Sequence, residues 1–193
     1  MASANAKMEA GDNASPATVR VWDPLVRIFH WSLVGLFTFA FLTGDEWQRP
    51  HETAGYIIAG LIAVRVFWGF AGSRHARFMS FIYRPSTVAG FVNDTVRMKA
   101  RRYLGHNPAG GLMVIGLLLV IAVISVSGWM MTTDAYWGVK WVGELHEGAA
   151  FTALGLVALH IGGVIVASFE HGENLVRAMI TGRKRAAGPD DIA

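Results

Sequence analysis

The chain has 193 residues, 53% of them hydrophobic and only 16% charged, with a formal net charge of +3. Soluble domains carry about 25% charged residues, so the composition argues against one. No run of Lys and Arg is interleaved with aromatics as a nucleic-acid surface would be, and no nucleic-acid partner is expected. Cysteine is absent, which excludes disulfides, thiolate-held iron–sulfur clusters and covalent C-x-x-C-H attachment of a prosthetic group.

Residues 1–18 (MASANAKMEAGDNASPAT) are small and polar, lack the apolar core of a cleavable signal peptide, and are expected to form a disordered cytoplasmic tail. Four apolar segments then reach the roughly 20 residues needed to cross a bilayer as a helix. They run from about 24 to 44, 51 to 72, 109 to 132 and 146 to 169, with Pro24 suited to a first helical turn. The expected fold is therefore an all-α integral membrane protein, a four-helix bundle. One membrane domain over 19–185 accounts for most of the chain, and 186–193 form a C-terminal tail.

Basic residues orient the bundle. Arg74, Arg77, Arg84, Arg97, Lys99, Arg101 and Arg102 fall between spans two and three. Lys7, Arg20 and Arg27 precede span one, and Arg177, Arg183, Lys184 and Arg185 follow span four. The two remaining loops carry only Arg49 and Lys140. The positive-inside rule then predicts both termini in the cytoplasm. Trp47, Trp137 and Trp141 near the outer ends and Trp22 near an inner one suit interfacial belts. Pro85 and the residues after it (VAGFVNDTVRMKARRYL) predict a short amphipathic helix, lying on the membrane surface or serving as a solvated connector.

Of the seven histidines, four are candidates to carry the chemistry. His146 and His160 are 14 residues apart on span four, about 40° short of four full turns, so both project from nearly one face at depths roughly 21 Å apart. Ala150, Ala153 and Val157 lie between them on that face. His51 is the partner available at the outer level and His30 the one at the inner level. Two histidine pairs at two depths are what two stacked bis-imidazole haems require, each imidazole donating one nitrogen to iron and its other N–H to a fixed acceptor. The plainer alternative is interhelical hydrogen bonding. His75, His106 and His171 are read as solvated or touching headgroups.

Arg65 is the one charge deep in a span, where insertion costs roughly 2.5–3.5 kcal/mol. It shares a face with His51 near the inner level, so a haem propionate is the expected partner, with snorkelling as the alternative. Gly55, Gly60 and Gly155 would admit close approach of a cofactor or helix. Asn107, with His106 and the Gly110 backbone, is a candidate quinone-headgroup site; the alternative there is a helix cap. Asp45, Glu46, Glu52, Asp134, Glu144 and Glu147 form an acidic outer rim, suited to a basic partner or simply solvated.

The segments VWDPLVRIFHW, HETAGY, RVFWG, GHNPAGG, LHEGAA, the LH at His160 and HGENLVRAMITGRKR together resemble the bacterial cytochrome b561 family, over about residues 19–185. That family includes the cytochrome b subunits of membrane-bound nickel–iron hydrogenases. The resemblance implies a bundle with two haem b groups in the inner membrane, His30 and His160 holding the cytoplasmic-side haem and His51 and His146 the periplasmic-side one. It also implies electron exchange with quinone and with a periplasmic redox partner such as a c-type cytochrome. The short outer loops favour that partner over a hydrogenase. Two alternatives stand beside it: a self-sufficient superoxide:quinone oxidoreductase, with Lys140 and Arg49 attracting the anion, and, more remotely, a histidine-lined metal-ion carrier.

Overall fold

The structure, a computed structural model, describes residues 17–44 and 46–193. The expected tail therefore lies outside the described residues except for Ala17 and Thr18. In chain order the elements are β1 (Thr18–Arg20), α1 (Pro24–Thr43), α2 (Gln48–Ala71), a 3-10 turn (Phe78–Ser80), α3 (Pro85–Val96), α4 (Pro108–Met131), α5 (Lys140–His171), α6 (Leu175–Thr181) and β2 (Arg183–Arg185). Helices α1, α2, α4 and α5 are each long and apolar enough to cross a membrane.

Local chemistry sets the ends of these helices. Asp23 Oδ1 accepts from Val26 N at 2.9 Å and Pro24 fills the first turn of α1. Asn107 Oδ1 accepts from Gly110 N at 2.6 Å ahead of Pro108, capping α4 in the same way. Helix α5 ends at Gly172, whose φ of 57° is the left-handed conformation glycine tolerates best. At 32 residues α5 is about 48 Å long, well beyond the roughly 30 Å hydrocarbon core. It starts at Lys140, more than a turn before the apolar segment, because the helical pattern continues through Val142, which is fully buried.

The core joins three of the long helices through Phe29 and Ala40 of α1, Ala54, Ile58 and Ile62 of α2, and Leu118 and Ile121 of α4. Most large side chains elsewhere on the four helices, such as Leu42, Phe67, Leu119 and Leu159, are exposed, as lipid-facing residues must be. Among the four, α5 packs most extensively on α4, while α1 packs on α2 and α2 on α4. Between α5 and the α1–α2 pair the contact is through ring side chains, Phe41 of α1 meeting Phe151 of α5 with centres 5.7 Å apart.

Both described chain ends lie at one end of the bundle, here the basic end. β1 pairs antiparallel with β2, a ribbon that departs from the all-helical expectation. Arg102 is buried there and donates to Glu173 through Nε at 3.1 Å and Nη2 at 3.0 Å, and to Asp191 through Nη1. Lys184 Nζ donates to Tyr103 O at 2.8 Å, and Ile192 N to Arg102 O at 2.9 Å. Residues 191–192 are therefore bound to the loop before α4 rather than trailing from it. Helix α3 forms where the amphipathic segment predicts one, with Val92 and Val96 exposed.

Candidate functional site

Each histidine pair predicted from depth meets between α5 and the α1–α2 pair. At the far end, His51 of α2 and His146 of α5 have ring centres 6.0 Å apart. At the basic end, His30 of α1 and His160 of α5 have ring centres 6.4 Å apart. Two metal–imidazole bonds of about 2.0 Å on one axis, with roughly 1 Å from each ring centre to its nitrogen, put the centres roughly 6 Å apart. Both pairs thus fit one iron between two imidazoles.

The far-end rings are also set in a defined tautomer. His51 Nδ1 lies 2.9 Å from Ala40 O, and His146 Nδ1 lies 3.0 Å from Ile124 O. A carbonyl only accepts, so each Nδ1 carries the proton and each Nε2 keeps a free lone pair. Ala40 is in the last turn of α1, where carbonyls lack helical partners. Ser127, 1% exposed, donates to Val123 O at 2.7 Å and also touches His146 Nδ1 at 3.2 Å. The His146 ring rests on Gly128, where a Cβ would stand 3.0 Å from its Cε1.

The basic end is built from side chains instead. Arg65 is 2% exposed, donates through Nη2 to Ala76 O at 3.1 Å and stacks over Phe78 at 5.2 Å. It is buried, and its snorkelling alternative does not hold. Asp23 accepts from Trp68 Nε1 at 3.1 Å and from Ser73 Oγ at 2.5 Å. Burial raises the Asp23 pKa, but these bonds and that from Val26 N outweigh it and hold the carboxyl below its usual range. His106 departs from the solvated reading: its ring packs 4.7 Å from Trp22 and 4.5 Å from Phe81. Burial, then the fields of Arg65, His75, Lys184 and His160, push its pKa down to about 3, so it is a neutral imidazole at pH 7.

Of the other candidates, Asn107 spends its side-chain oxygen on the α4 cap, leaving Nδ2 as its donor. Gly55, Gly60 and Gly155 have open space where a Cβ would stand. Glu46, Asp134, Glu144 and Glu147 are exposed at the far end; Asp45 lies outside the described residues. No group of three or more His, Cys, Asp or Glu side chains gathers among the described residues in a way that would hold a metal ion. Ser127, Gly128 and the carbonyls of Ala40 and Ile124 were not foreseen.

The family model described as prokaryotic cytochrome b561 matches residues 21–182. A probable Ni/Fe-hydrogenase B-type cytochrome subunit of Azotobacter vinelandii is 25% identical over 170 residues, covering 72% of this chain and 71% of that protein. The Rhodobacter capsulatus protein of the same description is 22% identical over 215 residues, with 86% and 81% covered. A probable Ni/Fe-hydrogenase 1 B-type cytochrome subunit of Escherichia coli K12 is 21% identical over 141 residues, with 59% and 60% covered. With four membrane-crossing helices and a family match over most of its length, the chain belongs to the prokaryotic cytochrome b561 family, as a multi-pass b-type cytochrome of the bacterial inner membrane that serves in electron transfer.

Proposed function

We propose that the protein holds two haem b groups, one between His30 and His160 and one between His51 and His146, and moves electrons across the membrane between quinone and a periplasmic redox protein. The observation that carries this reading is the pair of ring separations, 6.4 and 6.0 Å, between α5 and the α1–α2 pair. Haem supplies one-electron chemistry at its iron when bound. The chain's own groups ligate, orient and set the charge around it. His51 and His146 present Nε2 because Ala40 O and Ile124 O hold their Nδ1 protons. Arg65, buried at the basic end with Nη1 unpaired among the described residues, would meet a propionate. By the positive-inside rule that end faces the cytoplasm, with both termini.

The exposed acidic rim of the far end suits a basic periplasmic partner such as a c-type cytochrome. A second partner, a nickel–iron hydrogenase, is favoured by the descriptions of the relatives. The rim weighs against superoxide as substrate, since it repels an anion and Lys140 is already paired with Glu144 at 3.7 Å. Asn107 remains a candidate quinone contact through Nδ2.

A reduced-minus-oxidised visible spectrum with haem-to-protein stoichiometry tests the reading. Two b haems per chain in the wild type, and one in His160→Ala, are expected. A wild type without haem, or haem content indifferent to His160, would overturn it.

A further inference from the structure

Four buried nitrogens at the basic end have no hydrogen-bond partner among the described residues: Arg27 Nε, His30 Nδ1, Arg65 Nη1 and His106 Nδ1. The last two can both donate to an anion once His106 carries its proton on Nδ1. Arg65 forms no direct ion pair among the described residues, and Asp23, whose field reaches it, gives its hydrogen-bonding capacity to Val26 N, Trp68 and Ser73. Asp23 compensates the guanidinium only at a distance, and a buried cation gains most from an anion in direct contact. The two donors share a wall. Arg65 stacks on Phe78, the Phe78 and Phe81 rings lie 5.8 Å apart, and Phe81 touches His106. His160 and Arg65 both lie within electrostatic reach of His106.

We propose that His106 and Arg65 form one anion-binding site, and that it takes the propionate carboxylates of the haem held by His30 and His160. This rests on the haem reading above. A guanidinium and a neutral imidazole N–H together bring two donors but a single positive charge. Such a pair holds carboxylates at the mouth of an apolar bundle while burying little excess charge. Trp22 and Phe81 clamp the His106 ring from its neighbours, which fixes the direction of that donor. His106 is thus a positioning residue for the cofactor, outside the iron ligands.

The test is a spectroelectrochemical titration of the purified full chain, with haem content measured alongside. His106→Phe keeps a flat ring between Trp22 and Phe81 but removes the donor. Less compensated propionate charge favours ferric iron, so one of the two midpoint potentials is expected to fall while the other stays in place. The haem that shifts is the one absent from His160→Ala. Arg65→Gln should move the same haem further in the same direction, and His106→Gln, which restores a donor, should recover most of the wild-type value. Should His106→Phe fail to accumulate, His106→Glu replaces it: a carboxylate there is expected to lower that potential or expel that haem. Full haem content with both potentials unchanged in His106→Phe, or in His106→Glu, would overturn the proposal while leaving the haem reading intact. A wild type without haem would overturn the haem reading itself.

Discussion

The two histidine pairs face each other across the same gap, yet they are held by different means. At the far end the backbone does the work: Ala40 O and Ile124 O, from helices other than those carrying His51 and His146, receive the Nδ1 protons. At the basic end His30 Nδ1 is buried with no acceptor among the described residues, and the buried charge of Arg65 lies on α2 at that same end of the bundle. An imidazole whose N–H is hydrogen bonded is the more basic ligand and favours ferric iron, whereas nearby positive charge favours ferrous iron. One scaffold can in this way hold two chemically identical groups at different potentials, the basic-end one higher. Electrons would then fall from the far end toward the basic end.

Ligand removal is the harshest way to break that comparison. His146→Ala should leave one haem per chain, with the higher of the two potentials surviving; His160→Ala should leave the lower. Quantified haem and a redox titration of each variant check this. If both variants keep the same potential, the two sites are not differently tuned and the contrast fails.

Acid should separate the ends next. Glu173 is raised by burial, but its bonds from Arg102 and Arg185 N and the charge of Lys184 hold its pKa below the ordinary value. Bonds from Gly188 N and Arg102, opposed by a little desolvation, depress Asp191 likewise. A carboxyl with a depressed folded pKa contributes stability that is complete above its unfolded pKa, about 4 for these groups, and is lost as pH falls through the folded value. Hydrogen exchange at residues 183–192 should therefore accelerate below about pH 4, while amides around His51 and His146, fixed by backbone bonds, stay protected. Arg102→Met should loosen the same residues at pH 7, since removing one partner of a buried pair costs about 3–5 kcal/mol. Equal acceleration at both ends would sink this division.

Much of this was legible in the sequence, for physical reasons. Long apolar segments are obligatory in a bilayer, so α1, α2, α4 and α5 announce themselves, and a 14-residue spacing on one helix fixes both face and depth for His146 and His160. The buried charge of Arg65 was visible because nothing else in that span is ionisable at its depth. What escaped depends on contacts between distant segments. The ribbon pairs Val19 with Lys184, and Arg102 reaches Asp191, which no local pattern encodes. His106 looked like a loop residue because its burial comes from Trp22 and Phe81, far away in the chain. Backbone acceptors such as Ile124 O leave no mark on residue identity at all.

A smaller perturbation sharpens the far end alone. In Gly128→Ala the new Cβ would meet His146 Cε1 at 3.0 Å, so the ring must give by a few tenths of an ångström or the two helices must part. Partial loss of the far-end haem, or a shift in its potential only, is the expected result. Unchanged spectra would mean that α5 drifts freely from α4 without disturbing ligation.

The mildest change falls on Asn107. Its Oδ1 caps α4 through Gly110 N at 2.6 Å, so Asn107→Ala should lower stability by about 1 kcal/mol, measurable as a lower thermal midpoint in detergent. Helix capping and quinone contact make different demands on the same side chain. Asn107→Asp or Asn107→Ser keeps an oxygen for the cap but deletes the Nδ2 donor, and so should restore the midpoint. If quinone reduction also returns to the wild-type rate in those variants, the residue is a cap and the headgroup binds elsewhere. If stability returns and quinone reduction does not, Nδ2 is the contact, and the basic end then carries both the higher-potential haem and the place where its electrons leave.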